Sequence, residues 1–370
     1  MAPRRDRLQR TRPAHPLPFP SFGARPRTGM SKGKTTSFDI AYHAGVSQAT
    51  VSRALRGSPL VSLETRRRVQ AIAKQLNYKV DKNASNLRRQ HSVTLALLLF
   101  EDPTPDDSLI NPFFLSMLGS ITRACARQGY DLLVSFQQLS DDWHADYQDS
   151  HKADGLILLG YGDYLEAEPK LRKLVEQGTH FVRWGAVVDD QPGISVGCDN
   201  VQGGRVATEH LIERGRRRIA FIGDASAHCP EFLDRYRGHC EALRDAAREV
   251  DPALQITATD STEQVGYQAM NALLARGLGI DAVFAASDLL AIGAMQALAD
   301  AHRSVPEQVA VVGFDNIPMA NFAHPPLTTV QQDTKLAGEI LVERLLQQIR
   351  GEPVENVMMP AKLVVRRSSG

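Results

Sequence analysis

The chain has 370 residues, which is too long for one ordinary domain and sufficient for two or three. Its 43 Lys and Arg residues nearly balance its 42 Asp and Glu residues, so the formal net charge is only +1. That balance conceals an asymmetry, because residues 1–34 carry +8, residues 35–91 carry +7 and residues 92–370 carry −14. A basic front end joined to an acidic body indicates nucleic acid or a membrane surface as the partner of the front end.

Composition excludes several other classes of protein. Hydrophobic residues make up 43% of the chain, which permits a large core and argues against wholesale disorder. No stretch approaches the ~18 uninterrupted apolar residues of a membrane span, and the start of the chain lacks the apolar core of a secretory signal. The four cysteines are widely spaced, which fits reduced thiols in the cytoplasm better than a zinc or disulfide framework, with an isolated disulfide as the alternative.

Residues 1–34 are predicted to be a disordered leader. Prolines and arginines dominate this segment, which lacks apolar periodicity and so cannot bury enough surface to order itself. A basic arm that grips DNA is the functional alternative. Met30 directly precedes the first patterned segment, so a start of translation at Met30 is a third interpretation.

Residues 35–80 are predicted to form three short helices. The first spans Ser37–Ala44, and the second spans Gln48–Leu55 with Ser47 as its N-cap. Ser62 caps a third helix, in which apolar residues recur every three or four positions. Two helices separated by a tight, Gly-containing turn are typical of a helix-turn-helix unit that binds DNA.

From residue 93 onward, short strands that are apolar on both faces alternate with amphipathic helices. This alternation is typical of parallel sheets covered on both sides, and residues 93–370 are too many for one open sheet of usual size. The sequence therefore predicts two α/β lobes with a ligand cleft between them, at the carboxyl ends of the strands. Strands are predicted at Val93–Phe100, Asp131–Phe136, Gly155–Leu159, Phe181–Gly185, Ser195–Cys198, Arg218–Gly223, Ala282–Ala286 and Val309–Phe314, and helices at Phe113–Gln128, Val201–Arg214 and Leu289–His302.

Several short motifs add a more specific signal. They are Phe38–Ala41, Ala44–Ser47, Ala49–Leu55, Val61–Ser62, Glu64–Arg66, Asn111–Phe114, Asp154–Leu158, Thr208–Leu211, Arg218–Gly223, Val311–Pro318 and Pro325–Val330. In this order and spacing they resemble the lactose-repressor/galactose-repressor (LacI/GalR) family of bacterial transcription regulators, from about residue 35 to the C-terminus. The resemblance implies an all-α, lambda-repressor-like helix-turn-helix domain followed by a two-lobed α/β, periplasmic-binding-protein-like (type I) effector domain.

The second helix is expected to enter the major groove of DNA by its N-terminal end. Ser47 and Thr50 lie at that end, where hydroxyls and backbone N–H groups hold phosphate oxygens. Gln48 and Ala49 point towards base edges, and Arg53 can bridge guanine O6 and N7; the resemblance assigns base reading to these three positions. A solvated position for Gln48, or a surface ion pair for Arg53, is the alternative. The predicted DNA contacts here are Ser47, Gln48, Ala49, Thr50, Ser52, Arg53 and Arg56.

Residues 81–92 resemble the hinge helix of the family, which orders when two subunits pair over the operator. The resemblance places Asn83 and Ala84 at the DNA and wedges Leu87 into the minor groove, where an inserted apolar side chain kinks the duplex. A plain flexible linker is the alternative. Val80-Asp81 replaces the usual Pro-Asn, so this hinge is expected to begin differently.

The resemblance also places an effector between the lobes. Asp315 follows an apolar strand, where its carboxylate can accept two sugar hydroxyls. Arg235 matches an arginine that reaches into the cleft, with a surface ion pair to Glu231 as the alternative. Ser287 matches a ligand contact, whereas Asp288 either contacts the ligand or caps the next helix.

Aromatic residues complete the predicted effector site. Phe113 and Phe114 begin a helix of the first lobe, and we expect one of the two to face the cleft. Trp184 either stacks on a sugar ring or fills the lobe junction, while Ser261 stands where many relatives have an aromatic platform. A sugar or oligosaccharide is the expected effector, and a purine or nucleoside is the alternative.

These expectations describe a cytoplasmic repressor of sugar-utilisation genes. The resemblance implies a dimer on a pseudo-palindromic operator, and an effector that alters lobe closure and thereby the ordering of the hinge helices. The lack of a heptad tail favours a homodimer over a coiled-coil tetramer. A periplasmic sugar-binding protein is one rival, which the basic front end opposes. An enzyme is the other, but no nucleotide-binding loop, nucleophile elbow or metal-ligand cluster is found, so no cofactor or metal is predicted.

Overall fold

The computed structural model describes residues 35–78, 91–100, 110–160, 162–188 and 190–370. The predicted leader lies outside the described residues, as do the hinge residues Asn83, Ala84 and Leu87. The chain divides into two compact units, Met1–Asp81 and Lys82–Gly370. In the part of the chain that is described, no helix combines the length and the apolar character needed to cross a membrane.

The first unit contains three helices: α1 (Ser37–Ala44) and α2 (Gln48–Leu55), which have the predicted bounds, and α3 (Leu63–Gln75), which begins after the predicted cap Ser62. Their N-caps are Thr36, Ser47 and Ser62, each of which accepts a hydrogen bond from a backbone N–H three residues later. A small core holds them together, with apolar side chains from all three helices. Its fully buried members are Ile40, Val51, Ala54 and Val69.

The second unit alternates strands and helices, as the sequence predicts. The strands are β1 (Thr94–Leu99), β2 (Asp131–Phe136), β3 (Gly155–Leu159), β4 (Phe181–Trp184), β5 (Ile194–Cys198), β6 (Ile219–Ile222), β7 (Gln255–Ile256), β8 (Ala282–Ala285), β9 (Ala310–Asp315), β10 (Thr328–Gln331), β11 (Val357–Met359) and β12 (Lys362–Val364). The α-helices are α4 (Pro112–Arg127), α5 (Tyr164–Glu176), α6 (Asn200–Glu213), α7 (Pro230–Asp245), α8 (Glu263–Ala275), α9 (Asp288–Asp300) and α10 (Thr334–Ile349). All eight predicted strands are present, while β7, β10, β11 and β12 were not predicted.

Two six-stranded sheets confirm the predicted pair of lobes. The N-lobe sheet has the order β11-β5-β4-β3-β1-β2, and the C-lobe sheet has the order β12-β10-β9-β8-β6-β7. Since β11 returns to the first sheet and β12 belongs to the second, the chain crosses between the lobes after β5, after β10 and after β11. All pairings are parallel except that of β10 with β12, so the carboxyl ends of the parallel strands share one edge of each sheet.

Strand β2 corrects one expectation. We expected it to be buried on both faces, but Leu133 and Val134 are 38% and 43% exposed. The physical reason is its place at the edge of the N-lobe sheet, where it pairs only with β1. Apolar composition alone does not distinguish an edge strand from a central one.

Helices α6 and α7 pack against each other through backbone at two glycines. A Cβ atom on Gly204 would lie 2.0 Å from the Arg235 carbonyl oxygen, and one on Gly238 would lie 1.9 Å from the Val201 carbonyl oxygen. Only glycine permits this approach. The contact matters for the site because α7 carries Arg235.

Candidate functional site: an exposed helix face and an inter-lobe cavity

One face of α2 is exposed and carries residues predicted to contact DNA. Ala49, Arg53 and Arg56 are exposed and follow one another at helical spacing, while Val51 and Ala54 are buried on the opposite face.

The N-terminus of α2 is capped as predicted. The Ser47 hydroxyl accepts from the Thr50 backbone N–H at 3.2 Å and lies 2.9 Å from the Thr50 hydroxyl. Ser47 is exposed, and Thr50 and Ser52 are half-buried. The free N–H groups and partial positive charge of such a helix end suit a phosphate oxygen.

Gln48 differs from the expectation that its side chain projects freely. Its Nε2 atom donates a hydrogen bond to the Ser37 hydroxyl at 2.9 Å, and the residue is half-buried. This bond uses one of the two hydrogens on Nε2, and the amide group has a second hydrogen and an acceptor oxygen with which it can contact a base.

Three consecutive arginines on α3, Arg66, Arg67 and Arg68, have different surroundings. Arg66 donates to the Gly57 and Val61 carbonyl oxygens, both at 3.1 Å, and so ties α3 to the loop that follows α2. Arg67 and Arg68 are exposed. The sequence pattern of three arginines does not reveal this difference.

A cavity of about 740 Å³ lies between the two lobes of the second unit, and we call it the inter-lobe cavity. This volume lies within the range of about 300–1,000 Å³ that is typical of small-molecule sites. Six of the seven predicted effector residues line it: Phe113, Phe114, Trp184, Arg235, Ser287 and Asp315. Further lining residues include Phe100, Asn111, Asp163, Asp224, His228, Cys229, Glu231, Phe232, Asp260, Ser261 and Gln332.

Arg235 is held rigidly at the floor of this cavity. Its Nε atom donates to Asn200 Oδ1 at 2.9 Å, and its Nη1 atom donates to the Ala286 carbonyl oxygen. The guanidinium also lies 3.7 Å from the centre of the Phe314 ring and 3.8 Å from Asp315. Arg235 is 4% exposed, so these contacts are made in the interior and not at the surface where the alternative placed the side chain.

Asp315 ends β9 and is held from the opposite side by Gln332, whose Nε2 atom donates to Asp315 Oδ1 at 2.7 Å. Burial raises the pKa of Asp315 to about 6, and the attraction of Arg235 partly offsets that rise. The carboxylate is therefore ionised at neutral pH and can accept hydrogen bonds from a ligand.

Asp288 is the exception among the predicted effector residues, because it neither caps α9 nor lines the inter-lobe cavity. It is fully buried beneath the cavity, where it accepts from the Thr329 hydroxyl at 2.5 Å and from the Ile317 backbone N–H at 2.8 Å. Ser287 caps α9 instead, since its hydroxyl accepts from the Leu290 N–H at 3.3 Å. Burial raises the pKa of Asp288 well above its usual value, and the neighbouring Asp315 adds to the rise.

Aromatic rings form the N-lobe wall of the cavity. Both Phe113 and Phe114 line it, where we expected one, and their ring centres lie 5.4 Å apart. Trp184 is 6% exposed, and the centre of its ring lies 5.8 Å from that of Phe113, so it packs against the N-lobe wall and borders the cavity.

Carboxylates dominate the charge of the cavity. Among its described lining residues, five are acidic, and they face the guanidinium of Arg235 and the imidazole of His228. The acidic residues are Asp163, Asp224, Glu231, Asp260 and Asp315. Hydroxyl groups are good donors to such a wall, whereas phosphate or carboxylate ligands are repelled by it.

Sequence reasoning missed most of the lining that comes from loops. Asp163 and Asp224 follow strands β3 and β6, so their positions after apolar strands were the available signal. Gln332 follows the unpredicted strand β10, and its role could not be recognised without that strand. Among the described residues, no group of three or more His, Cys, Asp or Glu side chains is placed to hold a metal ion.

Comparisons with known proteins agree with both units. Residues 38–81 match the family model described as bacterial regulatory proteins, lacI family, and residues 208–369 match a periplasmic-binding-protein-like domain. The HTH-type transcriptional regulator CelR of Thermobifida fusca is 34% identical over 335 residues, which cover 89% of this chain and 96% of that protein. The chain belongs to the LacI family of bacterial transcription regulators.

Solved structures support the same assignment for this LacI-family regulator. A complex of CelR with cellobiose matches 90% of this chain and 100% of that chain, with 33% identity and a TM-score of 0.67. The Lac repressor dimer bound to operator and an anti-inducer matches 91% of this chain and 99% of that chain, with 25% identity and a TM-score of 0.78. The chain is thus a DNA-binding transcription regulator with a helix-turn-helix unit and a two-lobed effector unit.

Proposed function

We propose that this LacI-family regulator is a homodimeric repressor whose affinity for a pseudo-palindromic operator is set by a neutral sugar bound in the inter-lobe cavity. It acts on DNA in the bacterial cytoplasm and binds its effector reversibly, without turnover. The observation that carries the proposal is the composition of the cavity, in which aromatic rings from the N-lobe face carboxylates and Arg235 from the C-lobe.

The aromatic rings and the carboxylates of the cavity suit the two kinds of surface that a sugar presents, its C–H faces and its hydroxyl groups. The C–H faces of a pyranose pack on flat aromatic rings, which Phe113, Phe114 and Trp184 offer. Hydroxyls require acceptors, which Asp315 and the other carboxylates supply. A sugar phosphate would bring negative charge into a wall that is already acidic, so the cavity favours a neutral ligand.

The size of the cavity favours more than one sugar ring. Its volume of about 740 Å³ lies in the upper half of the usual range for small-molecule sites. The relative CelR, which is 33% identical to this chain, forms a complex with the disaccharide cellobiose in its solved structure. A β-linked disaccharide such as cellobiose is therefore the first ligand to test, and purines and nucleosides serve as competing candidates.

On the DNA side, we propose that α2 lies in the major groove. Ala49 and Arg53 on its exposed face read bases, while Ser47 and Thr50 hold phosphate oxygens. Gln48 reads a base with the part of its amide group that does not bond Ser37.

The test begins with isothermal titration calorimetry of the full chain against cellobiose, glucose, ribose, adenosine and hypoxanthine. An operator is then selected from randomised duplexes, and its affinity is measured by fluorescence anisotropy with and without the ligand. We expect a disaccharide to bind and to change operator affinity, which also reveals whether it induces or co-represses. Binding of a purine with no response to any sugar would show that the proposed effector class is wrong.

A matched pair of variants links the response to the cavity. Asp315→Asn removes one carboxylate from the floor with little change in volume, and we expect sugar affinity to fall by at least about tenfold, since a charged hydrogen bond is lost. Asp141→Asn makes the same change at an exposed position, and we expect no change. Operator affinity without ligand should stay the same in both variants. In both, the logarithm of the operator-binding constant should fall with the logarithm of the salt concentration, with a slope of about −0.9 per phosphate contacted.

A further inference from the structure

Three hydrogen bonds connect the two lobes at one side of the inter-lobe cavity. In the first, His228 Nδ1 of the C-lobe lies 2.6 Å from Asp163 Oδ2 of the N-lobe. In the second, the Tyr164 backbone N–H donates to the His228 carbonyl oxygen at 2.8 Å. In the third, the Ala186 backbone N–H donates to Glu231 Oε1 at 2.8 Å. One short C-lobe segment, residues 228–231, thus spans the cleft beside the cavity.

We infer that His228 and Asp163 form a proton-operated latch, which holds the lobes together over the effector when His228 is protonated and loosens when it is not. The inference rests on the proposed function in taking the inter-lobe cavity as the effector site. A protonated imidazole and a carboxylate make a charge-assisted hydrogen bond, which is about twice as strong as the neutral one.

The position of Asp163 makes the latch directional. Its other carboxylate oxygen, Oδ1, accepts from the Leu165 backbone N–H at 2.9 Å as the N-cap of α5, so the carboxylate is fixed in the N-lobe. His228 sits on the C-lobe loop that leads into α7, the helix that carries Arg235. Protonation of His228 therefore pulls the loop at the start of α7 towards the N-lobe.

The carboxylates that surround His228 favour its protonated form. The hydrogen bond to Asp163 raises the pKa of His228, and the negative charges of Asp163, Asp224 and Glu166 add to the rise. Asp163 and Glu166 come from the start of α5, and Asp224 from the loop after β6. Since the side chain of His228 is 54% exposed, protons exchange freely with solvent.

This arrangement fixes the sign of the effect. The pKa of His228 is raised when the latch is closed and returns towards about 6.5 when the lobes separate. Lowering the pH from 8.5 towards 6.5 therefore favours the closed lobes, and a ligand enclosed by them binds more tightly. The bond from the Tyr164 N–H to the His228 carbonyl oxygen joins two backbone groups that do not titrate. A change in the protonation of His228 therefore adjusts the latch and does not abolish it.

The test measures the affinity of the full chain for cellobiose by calorimetry between pH 6.5 and 8.5, and most of this range lies above the pKa of about 6 of Asp315. We expect the dissociation constant to fall at least about threefold as the pH is lowered, with proton uptake on binding. His228→Gln keeps a donor that does not titrate, and we expect it to remove the dependence. His302→Gln, at an exposed position that follows α9, should behave as the wild type. A wild type without pH dependence, or an unchanged dependence in His228→Gln, overturns the latch.

A ligand-free measurement separates failure of the latch from failure of the proposed function. NMR titration of the imidazole protons should give His228 a pKa above the value of about 6.5 of a free histidine, and Asp163→Asn should abolish the rise. If Asp163→Asn leaves the titration of His228 unchanged, the latch is wrong even if cellobiose binds. If the titration behaves as expected and no sugar binds, the latch stands and the sugar effector is wrong. Fluorophores at Glu176→Cys and Glu249→Cys, exposed positions on opposite lobes, should report a shorter distance at pH 6.5 than at 8.5.

Discussion

The guanidinium of Arg235 lies 3.8 Å from the carboxylate of Asp315, with side-chain exposures of only 5% and 10%. The two groups come from α7 and β9, so the pair ties a helix to the end of a strand at the floor of the cavity. A buried charge is tolerated only when it is paired and hydrogen-bonded, which Asn200 and Gln332 help to ensure.

Breaking this pair should destabilise the effector unit. Arg235→Gln leaves the Asp315 carboxylate buried without its cation, and we expect a loss of about 3 kcal/mol in the free energy of unfolding. Adding Asp315→Asn to Arg235→Gln removes the unpaired buried charge. The double variant should therefore lose at least about 1 kcal/mol less stability than the sum of the losses of the two single variants. Urea unfolding of the two single variants and the double variant measures the coupling. Strictly additive losses would show that the two groups do not interact.

The contact between α6 and α7 leads to a second prediction. Gly238→Ala places a Cβ atom 1.9 Å from the Val201 carbonyl oxygen, so the two helices must separate. We expect a loss of about 3 kcal/mol in stability and weaker sugar binding, because α7 positions Arg235.

Gly119→Ala provides the matched control for Gly238→Ala. Gly119 also lies within a helix, α4, but an added Cβ there meets nothing within 4 Å. We expect a gain of up to about 1 kcal/mol from helix propensity and unchanged sugar affinity. Thermal unfolding and calorimetry compare the two variants. Equal losses in both would mean that the close approach of α6 and α7 does not matter.

The sequence predicted the parts of the site that follow from periodicity and from the resemblance. Asp315 and Ser287 were predicted to lie in the cleft because each stands at the carboxyl end of a strand, and the carboxyl ends of parallel strands meet at one edge of a sheet. The role of Asp288 was missed because its partners, Ile317 and Thr329, come from distant segments. His228 was assigned no function because its partner, Asp163, belongs to the other lobe, and contacts at such separation leave no local pattern.

The front unit offers a comparison between two arginines with different surroundings. Arg53 is exposed on α2, and we expect Arg53→Ala to weaken specific operator binding by about 1–3 kcal/mol while non-specific binding falls much less. Arg66 bonds two carbonyl oxygens within the unit, so Arg66→Ala should lower the unfolding temperature of the helix-turn-helix unit. Anisotropy with selected and scrambled duplexes, together with thermal melts, separates the two effects. An equal loss of both kinds of DNA binding in Arg53→Ala would exclude base reading by Arg53.

A buried histidine predicts how the effector unit responds to acid. His239 is 3% exposed, and its Nδ1 atom lies 2.9 Å from the Thr208 hydroxyl. That hydroxyl donates its proton to the Gly204 carbonyl oxygen, which assigns the role of donor in the contact between His239 and Thr208 to Nδ1. Burial lowers the pKa of His239 to about 4.

The sign of this effect follows from the unfolded chain, in which a histidine has a pKa near 6.5. Above pH 6.5 the ring is neutral in both states and contributes no pH dependence. As the pH falls from 6.5 to 4, only the unfolded chain takes up the proton, so about 3 kcal/mol of stability is lost. Asp315 acts in the opposite direction over the same range, because its raised pKa of about 6 lets the folded state take up a proton first.

The contribution of His239 is isolated by comparing variants, since Asp315 is common to all of them. His239→Gln cannot take up a proton, so its deficit in stability relative to the wild type should shrink as the pH is lowered from 7 to 5. His302→Gln, which alters an exposed imidazole, should follow the wild type at every pH. Urea midpoints at several pH values provide the measurement. A deficit in His239→Gln that stays constant with pH would show that this imidazole is not held neutral by burial.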